Sequence, residues 1–240
     1  MCIRDRVNSS SASASEILAA AIQDYRRGIV VGTPTFGKGT VQRFFDLDNF
    51  IRGENEIKPL GAVKLTTQKF YRINGGATQL KGVTPDVTLA DAYTYVDRGE
   101  KEQENVMPWD EIEACEYDMW KIDQAEIAKI RKASYARTSK NESWKTVEEN
   151  AHRLKKQRDT KTRSLNLETN MAKNKELKEY SDAYKATFKE LEGTSIANLP
   201  ADLETINSDT VRQKLNQDWF DGLKKDIYIN EASAIINDLR

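Results

Sequence analysis

The feature that most constrains the fold of this chain is a change in composition close to Met107. Ten of its 12 glycines and its clusters of β-branched residues precede that position, whereas lysine, glutamate, asparagine and glutamine dominate after it. Glycine-bounded β-branched runs are typical of strands, and charged stretches with sparse apolar residues are typical of exposed helices. Because 240 residues also exceed one typical domain, we predict an α/β part over residues 7–107 and an all-α part over residues 108–240.

The charge balance and the cysteine count exclude several classes of protein. The chain has 37 lysines and arginines against 38 aspartates and glutamates, a net charge of −1, so no global field attracts it to nucleic acid or to an anionic membrane. Its longest apolar runs are far shorter than the roughly 18 residues that span a bilayer. Cys2 and Cys115 are the only cysteines, and they support neither a disulfide framework nor a cysteine metal site. We therefore expect no nucleic-acid partner and no transmembrane segment.

The first six residues do not fit the pattern that follows them. Met1–Arg6 is Met-Cys-Ile-Arg-Asp-Arg, and the codons that would encode it resemble a transposase adapter used in sequencing libraries. We interpret this segment as a sequencing or fusion scar and set it apart from the fold. On that interpretation, the residues from Val7 onward are the interior of a longer protein with a leader and further domains upstream.

The α/β part is predicted to pack one helix on a mixed sheet. Ser13-Ala14-Ser15-Glu16 matches a capping box, so we expect the helix to begin at Ser13 or one residue earlier and to continue to Arg27. Its apolar stripe would consist of Ile17, Leu18, Ala21, Ile22 and Tyr25. Gly28–Gly32 predicts a covered strand and Thr33–Gly39 a loop. Further strands are predicted at Thr40–Leu47, Ala62–Ile73 and Val87–Leu89, with a tight turn at Asn74–Gly76.

The all-α part is predicted to contain five amphipathic helices, with sparse apolar stripes between charged faces. The predicted segments are Ile122–Ala136, Trp144–Leu165, Asn170–Glu192, Val211–Leu223 and Asp226–Leu239. Helices rich in lysine and glutamate are most often solvated scaffold. By themselves, these segments therefore indicate no activity.

Ser13 is the first candidate for chemistry. It lies at a helix start among small neighbours, where a substrate can approach the backbone and the positive end of the helix favours developing negative charge. The same Ser-x-x-Glu pattern is common wherever helices begin, so the simple interpretation is an N-cap. The local pattern alone leaves both interpretations open.

A serine nucleophile needs a base, and Lys38 is the better candidate for that role. The only histidine, His152, lies beside Arg153 in the charged helical part, and we expect it at the surface. Lys38 lies between Gly37 and Gly39, which leave space around its amine, and serine–lysine pairs are a known variant of this chemistry. To act as a base the amine must be neutral, which burial in a nonpolar pocket favours.

The loop that carries Lys38 also resembles a phosphate-binding loop, since Gly32–Lys38 matches most of the G-x-x-x-x-G-K pattern. Three features argue against a nucleotide site. Gly39 stands where a Ser or Thr should bind magnesium, Pro34 has no backbone N–H, and Thr40–Leu47 is predicted as a strand rather than a helix. This alternative predicts binding of a magnesium nucleotide at the loop.

A more specific pattern comes from three segments that follow one another in order. They are Ser11–Ile17, Phe36–Gln42 and Lys81–Asp86. With Ser13 and Lys38 25 residues apart, these segments resemble the carboxy-terminal processing peptidases of family S41, which share that spacing. Tyr71–Gly76 and Pro108–Asp110 resemble the tail-specific protease branch, whose helical C-terminal domain would account for the charged part. The resemblance covers nearly the whole chain.

The resemblance implies a serine–lysine–glutamine arrangement. The family's nucleophile falls on Ser13, its base on Lys38, and the residue that orients the lysine on Gln42. The N–H of Ala14 would be one oxyanion donor, and an earlier glycine would supply the other. Three further residues fall on positions that support the site in this branch: Glu16, Asp24 and Thr35. The first two of these could equally be a helix cap and a surface charge.

The resemblance also implies an activity. The intact protein would cleave proteins or peptides recognised by a nonpolar C-terminus, through an acyl-enzyme and without a metal or cofactor, in the bacterial periplasm. Relatives in this branch work with a lipoprotein adaptor. The family's PDZ domain and oxyanion glycine do not fall within these residues, so we expect the 240-residue chain alone to be inactive. The alternative is a non-catalytic helical interaction module in which Ser13 only caps a helix.

Overall fold

The structure of the chain, a computed structural model, describes residues 3–51, 58–120, 122–191, 193 and 195–239. These residues cluster in two compact units. The first unit comprises residues up to Thr88 together with Asp97–Gln124, and the second comprises Leu89–Val96 together with residues from Ala125 onward. Each unit has its own buried residues and is described by itself.

A parallel sheet and one helix form the core of the first unit. Strands β1 (Ile3–Val7), β2 (Gly28–Gly32) and β5 (Val87–Thr88) lie in the order β1-β2-β5, and helix α1 (Ala14–Asp24) connects the first two. All five residues of β2 are buried, as expected for a strand covered on both faces. The predicted helix and covered strand are therefore confirmed, although α1 ends three residues before Arg27.

The buried face of α1 differs from the predicted apolar stripe. The core cluster of this unit contains Val7, Ala19, Ala20, Ile22, Val30 and Val83. Ile17 and Leu18 of the predicted stripe are instead 48% and 59% exposed, so these two members of the stripe do not face the core. Alanine side chains are short and lose no rotamer freedom on burial, which lets a helix pack closely on a sheet.

A second, two-stranded antiparallel sheet lies in the described part of the first unit. Strands β3 (Thr40–Asp46) and β4 (Ala62–Lys69) pair with a register shift between Val41 and Gln42. The second strand ends at Lys69 rather than Ile73 because the chain then enters the predicted tight turn. At that turn Gly75 has φ +90°, and a Cβ there would lie 2.1 Å from the Ile112 carbonyl oxygen, so only glycine fits.

The segment set apart as a scar contributes to the fold. Ile3–Arg6 belongs to β1 and pairs in parallel register with the residues from Gly28 to Val31, whereas Met1 and Cys2 lie outside the described residues. Burial raises the pKa of the Asp5 carboxyl in this strand. An acidic side chain that is partly buried beside the fully buried β2 is unfavourable at this position. That the segment is a sequencing or fusion scar stays a prediction.

Six helices form the described part of the second unit. They are α2 (Gln124–Thr138, whose first residue belongs to the first unit), α3 (Glu142–Asp159), α4 (Leu167–Thr187), α5 (Pro200–Asn207), α6 (Thr210–Leu223) and α7 (Ile227–Asp238). The five predicted helices are present with shifted ends, and α5 is additional. The Glu192 end of the third predicted helix lies outside the described residues. None of the described helices combines the length and apolarity needed to cross a membrane.

Residues 108–120 form no helix, although the all-α part was predicted to begin there. The N–H of Ala77 donates to the Asp110 carbonyl (3.1 Å), the N–H of Ile112 to the Gly75 carbonyl (2.9 Å) and the N–H of Cys115 to the Ile73 carbonyl (3.0 Å). These bonds attach the segment to the turn of the first unit. The predicted domain boundary at 107/108 stays a prediction.

Candidate active site

Ser13 lies in a strained turn between β1 and α1. Its backbone has φ 57° and ψ −115°, a conformation that costs a non-glycine residue about 1–3 kcal/mol. The turn is held by the capping box that the sequence predicts, in which the Ser13 N–H donates to Glu16 Oε2 (2.8 Å). Strain of this kind at a strand–turn–helix junction is typical of nucleophilic serines, because it presents the hydroxyl away from the backbone.

Glu16 connects this turn to the loop that carries Lys38. Its side chain is fully buried and accepts four hydrogen bonds. The donors are the Ser13 N–H (2.8 Å), the Thr35 hydroxyl (2.5 Å), the Gly37 N–H (2.7 Å) and the Lys38 N–H (2.8 Å). A buried carboxylate needs such donors to offset its lost hydration. Glu16 is therefore more than a helix cap, since it bonds to two separate parts of the chain.

The loop at 33–39 has no backbone N–H left for a ligand. Every N–H of this loop donates to a protein oxygen, and Pro34 has none. The first three donate to backbone carbonyls: Thr33 to Val7, Thr35 to Val83 and Phe36 to Ser11. The last three donate to side chains: Gly37 and Lys38 to Glu16, and Gly39 to Gln79. A phosphate-binding loop needs free N–H groups, and the buried carboxylate would also repel phosphate. The structure therefore argues against the nucleotide alternative.

The Lys38 side chain is half-buried, and its Nζ donates to the Thr40 carbonyl oxygen (2.7 Å). Its backbone N–H and that of Ser13 donate to the same carboxylate oxygen, Oε2 of Glu16. The backbone nitrogens of Ser13 and Lys38 are therefore no farther apart than the summed lengths of these two hydrogen bonds. The structure thus links the backbones of Ser13 and Lys38 into one hydrogen-bonded group through one carboxylate oxygen, and their roles as nucleophile and base stay predictions.

Gln42 and Ala14 lie at the edge of this group. Gln42 is exposed on β3 beside the register shift, and no hydrogen bond from it to Lys38 occurs within the described part of the chain. Ala14 is the exposed first residue of α1, where the N–H groups of a helix have no intrahelical partner. Its N–H is therefore suited to bind an oxyanion, as the resemblance implies.

The other two predicted support residues have different surroundings. The Thr35 hydroxyl donates to Glu16 and accepts from the Val83 N–H (2.7 Å), which fixes the Lys38 loop against the core. Asp24 lies ten residues after Ala14, or about 15 Å along the helix axis. It forms an ion pair with Arg72, so the structure does not bring it to Ser13.

Gln79 is a residue that the sequence analysis did not identify. It is fully buried, and its Oε1 accepts the Gly39 N–H (2.8 Å), while its Nε2 donates to the Met107 carbonyl oxygen (3.2 Å). Gln79 therefore supports the C-terminal end of the Lys38 loop, whereas Glu16 binds the N–H groups of Gly37 and Lys38. The partner of Gln79 is 40 residues away, and no local pattern marks such a contact.

The predicted placement of His152 at the surface is confirmed, since it is exposed in the second unit, where its ring stacks on Tyr95 at 4.0 Å. Over the described ranges, no group of three or more His, Cys, Asp and Glu side chains could hold a metal ion.

Two known families match this chain in succession. Residues 7–89 match peptidase family S41, and residues 93–240 match the C-terminal domain of tail specific protease. These two matches divide the chain close to Leu89, where the second compact unit begins.

Among curated proteins, the chain is similar to the tail-specific protease of Haemophilus influenzae, with 39% identity over 207 residues, 82% of this chain and 29% of that protein. It is 46% identical over 83 residues to the carboxy-terminal-processing protease of Bartonella bacilliformis, 35% of this chain and 17% of that protein. A solved structure, the photosystem II D1 C-terminal processing protease, is 35% identical with a TM-score of 0.32, covering 37% of this chain and 20% of that one. The chain thus spans less than a third of the length of these curated relatives.

Proposed function

The chain belongs to the tail-specific proteases of peptidase family S41, and we propose that it supplies the nucleophile and base of a serine endopeptidase. Ser13 is the proposed nucleophile and Lys38 the proposed general base. Membership of the family supports a serine peptidase that acts on proteins or peptides. The identity of the two residues is the further step proposed here.

The observation that carries the proposal is the shared bond to Glu16 Oε2. The Ser13 N–H and the Lys38 N–H both donate to it at 2.8 Å, so the strained serine turn and the glycine-flanked lysine loop have a fixed relation. Such preorganisation is what a serine–lysine pair needs, since the two side chains must meet in one geometry.

The proposed reaction uses groups of this chain. The Ser13 hydroxyl oxygen attacks the scissile carbonyl while neutral Lys38 takes the hydroxyl proton. The resulting Lys38 ammonium then gives that proton to the leaving amine. Water then hydrolyses the acyl-enzyme. A neutral amine can donate a hydrogen to Thr40 and keep its lone pair for Ser13, so the bond of Lys38 Nζ to the Thr40 carbonyl supports its orientation. Gln42 would add a second orienting contact, and the Ala14 N–H would stabilise the oxyanion.

The finer features of the activity rest on the family resemblance. We propose that the whole protein recognises substrates with nonpolar C-termini, works in the periplasm and can engage a lipoprotein adaptor.

A chimera tests the proposal at residue level. Residues 7–240 replace the corresponding segment of the Haemophilus influenzae relative, and the chimera is assayed with a peptide that has a nonpolar C-terminus and with a fluorophosphonate probe. We expect hydrolysis and labelling at Ser13. Ser13→Ala should abolish both, and Lys38→Ala should lower kcat by about 10⁴-fold or more.

Lys101→Ala is the matched control, since this lysine is exposed in a 3₁₀ turn over Glu100–Glu102 of the same unit. It should leave both readouts unchanged. Full activity in the Lys38→Ala chimera would show that Lys38 is not the base. A chimera that unfolds cooperatively but is neither labelled nor active would instead favour a non-catalytic interaction module.

A further inference from the structure

Positive charge is concentrated in one stretch of the second unit. Residues 153–174 span the end of α3, the connection to α4 and the first turns of α4. They contain seven lysines and arginines against two acidic residues, a net charge of +5 in a chain whose total is −1. A local field of this size attracts anions even though the whole molecule does not.

A shallow open cleft of about 130 Å³ lies at this connection. Arg163 and Lys173 line it, and no Asp or Glu is among the described residues that do so. Neither cation has an ion pair or hydrogen bond within the described part of the chain. Thr162, Ser164 and Asn174 add hydroxyl and amide donors to the same walls. Paired cations with neutral donors are suited to phosphate, which an arginine fork binds through two oxygens.

The connection itself is ordered by local hydrogen bonds. Asn170 Nδ2 donates to the Ser164 carbonyl (2.5 Å) and to the Asn166 carbonyl (2.9 Å), and the Asn166 side chain accepts the Thr169 N–H (2.9 Å) to cap α4. The side chains of Asn166 and Asn170 therefore fix the backbone of the connection that forms the cleft walls.

Large exposed apolar side chains follow Arg163 closely in sequence. Leu165 is 100% exposed and Leu167, the first residue of α4, is 72% exposed. Met171 is also 63% exposed, but it lies two residues before Lys173 on α4 and therefore points to a different face of the helix. Exposed leucines next to lysines and arginines are the pattern of surfaces that lie at a membrane interface, where apolar groups enter the lipid and cations bind the headgroups. Nucleic acid would leave these apolar side chains without a partner.

We propose that this connection docks on an anionic phospholipid surface, with a lipid phosphate in the cleft between Arg163 and Lys173. Leu165 and Leu167 enter the headgroup region, and the flanking Lys156 and Lys161 add attraction. The proposal is independent of the peptidase chemistry, because it uses residues of the second unit alone.

Vesicle binding of the 240-residue chain tests this proposal. At low ionic strength the chain should co-sediment with vesicles of mixed phosphatidylglycerol and phosphatidylcholine, but not with phosphatidylcholine alone. Arg163→Gln with Lys173→Gln should weaken this binding about 25-fold, or about fivefold for each charge removed. Arg212→Gln with Lys214→Gln on α6 removes the same charge elsewhere and should change it little. Equal losses in the two double variants would overturn the cleft as the site.

A second variant separates the lipid surface from free phosphate. Leu165→Ser should weaken vesicle binding but leave the weak binding of glycerol phosphate unchanged, whereas Arg163→Gln with Lys173→Gln should weaken both. Binding of glycerol phosphate without vesicle binding would overturn the membrane surface in favour of a soluble phosphate ester. Tighter binding of a single-stranded oligonucleotide than of vesicles would overturn it in favour of nucleic acid. Absence of vesicle binding by the unchanged chain would also overturn it.

Discussion

Glu16 shows how one side chain can determine the geometry of a site to which it contributes no reacting atom. Each of its carboxylate oxygens accepts two hydrogen bonds. Three of the donors are backbone N–H groups that have no other partner in the described structure. Because they belong to the Ser13 turn and the Lys38 loop, the position of either segment depends on the same carboxylate.

We predict that Glu16→Gln destabilises the first unit by roughly 3 kcal/mol, measured as the free energy of unfolding in urea. The glutamine amide retains one acceptor oxygen. Its NH₂ group replaces the second carboxylate oxygen, so two donors then face another donor instead of an acceptor. Glu113→Gln, a change at an exposed position, is the control and should lie within about 0.5 kcal/mol of the unchanged protein. Equal effects of the two substitutions would show that the four hydrogen bonds do not support the fold.

A pH dependence follows from Asp5. Burial raises the pKa of its carboxyl above the ordinary value of 3.8, so the folded state favours the protonated acid. Its contribution to stability is present below pH 3.8 and is lost as the pH rises through the folded pKa. Asp5→Asn should therefore raise the melting temperature at pH 7, with a gain that shrinks towards pH 3. A constant gain at all pH values would exclude ionisation of Asp5 as the cause.

At the scale of elements, an ion pair attaches the end of α1 to the turn after β4. Arg72 donates through Nε and Nη2 to Asp24, and its Nη2 also donates to Gln23 Oε1 (2.8 Å). The Asp24 side chain is only 6% exposed and that of Arg72 is 17% exposed. The bidentate geometry offsets the cost of burying the charges.

We predict that Arg72→Met destabilises the first unit by about 3 kcal/mol, because it leaves the Asp24 carboxylate buried without a partner. Adding Asp24→Asn should recover part of this loss, since a neutral amide costs less to bury. A double-mutant cycle on unfolding free energies measures the coupling. Arg43→Met, at an exposed position on β3, is the control, and strictly additive effects at Arg72 and Asp24 would contradict the coupling.

Local patterns predicted elements well where chemistry and spacing agreed, as for α1 and β2. They failed for α5, since Pro200–Asn207 has only eight residues and none of them is buried, so no apolar face marks it. At the site, Ser13, Lys38 and Glu16 could be named as candidates because the order and spacing of three segments resemble a known family, although the Ser-x-x-Glu pattern alone is common at helix starts. Gln79 could not, since its role depends on a contact that forms only in the folded chain.

At the scale of the whole molecule, the two compact units predict where a perturbation remains local. Trp109 donates from Nε1 to the Ala77 carbonyl (2.9 Å), and Lys81 Nζ lies 3.2 Å from the centroid of its ring. Trp144, in contrast, packs edge-on against Tyr228 at 4.9 Å within the second unit. Trp109, which is half-buried, therefore reports on the turn of the first unit, and the buried Trp144 reports on the core of the second unit.

We predict that Trp109→Ala accelerates amide hydrogen exchange at Gly75, Ala77 and Ile112 but not in α3, because its contacts lie in the first unit. Trp144→Ala, which removes a buried ring at a cost of about 3–5 kcal/mol, should accelerate exchange in α3 and α7 and spare β2. Mass spectrometry of the exchanged chain resolves these segments. Acceleration in α3 by Trp109→Ala would instead support a domain boundary at 107/108, because residues 108–120 would then unfold together with the helices.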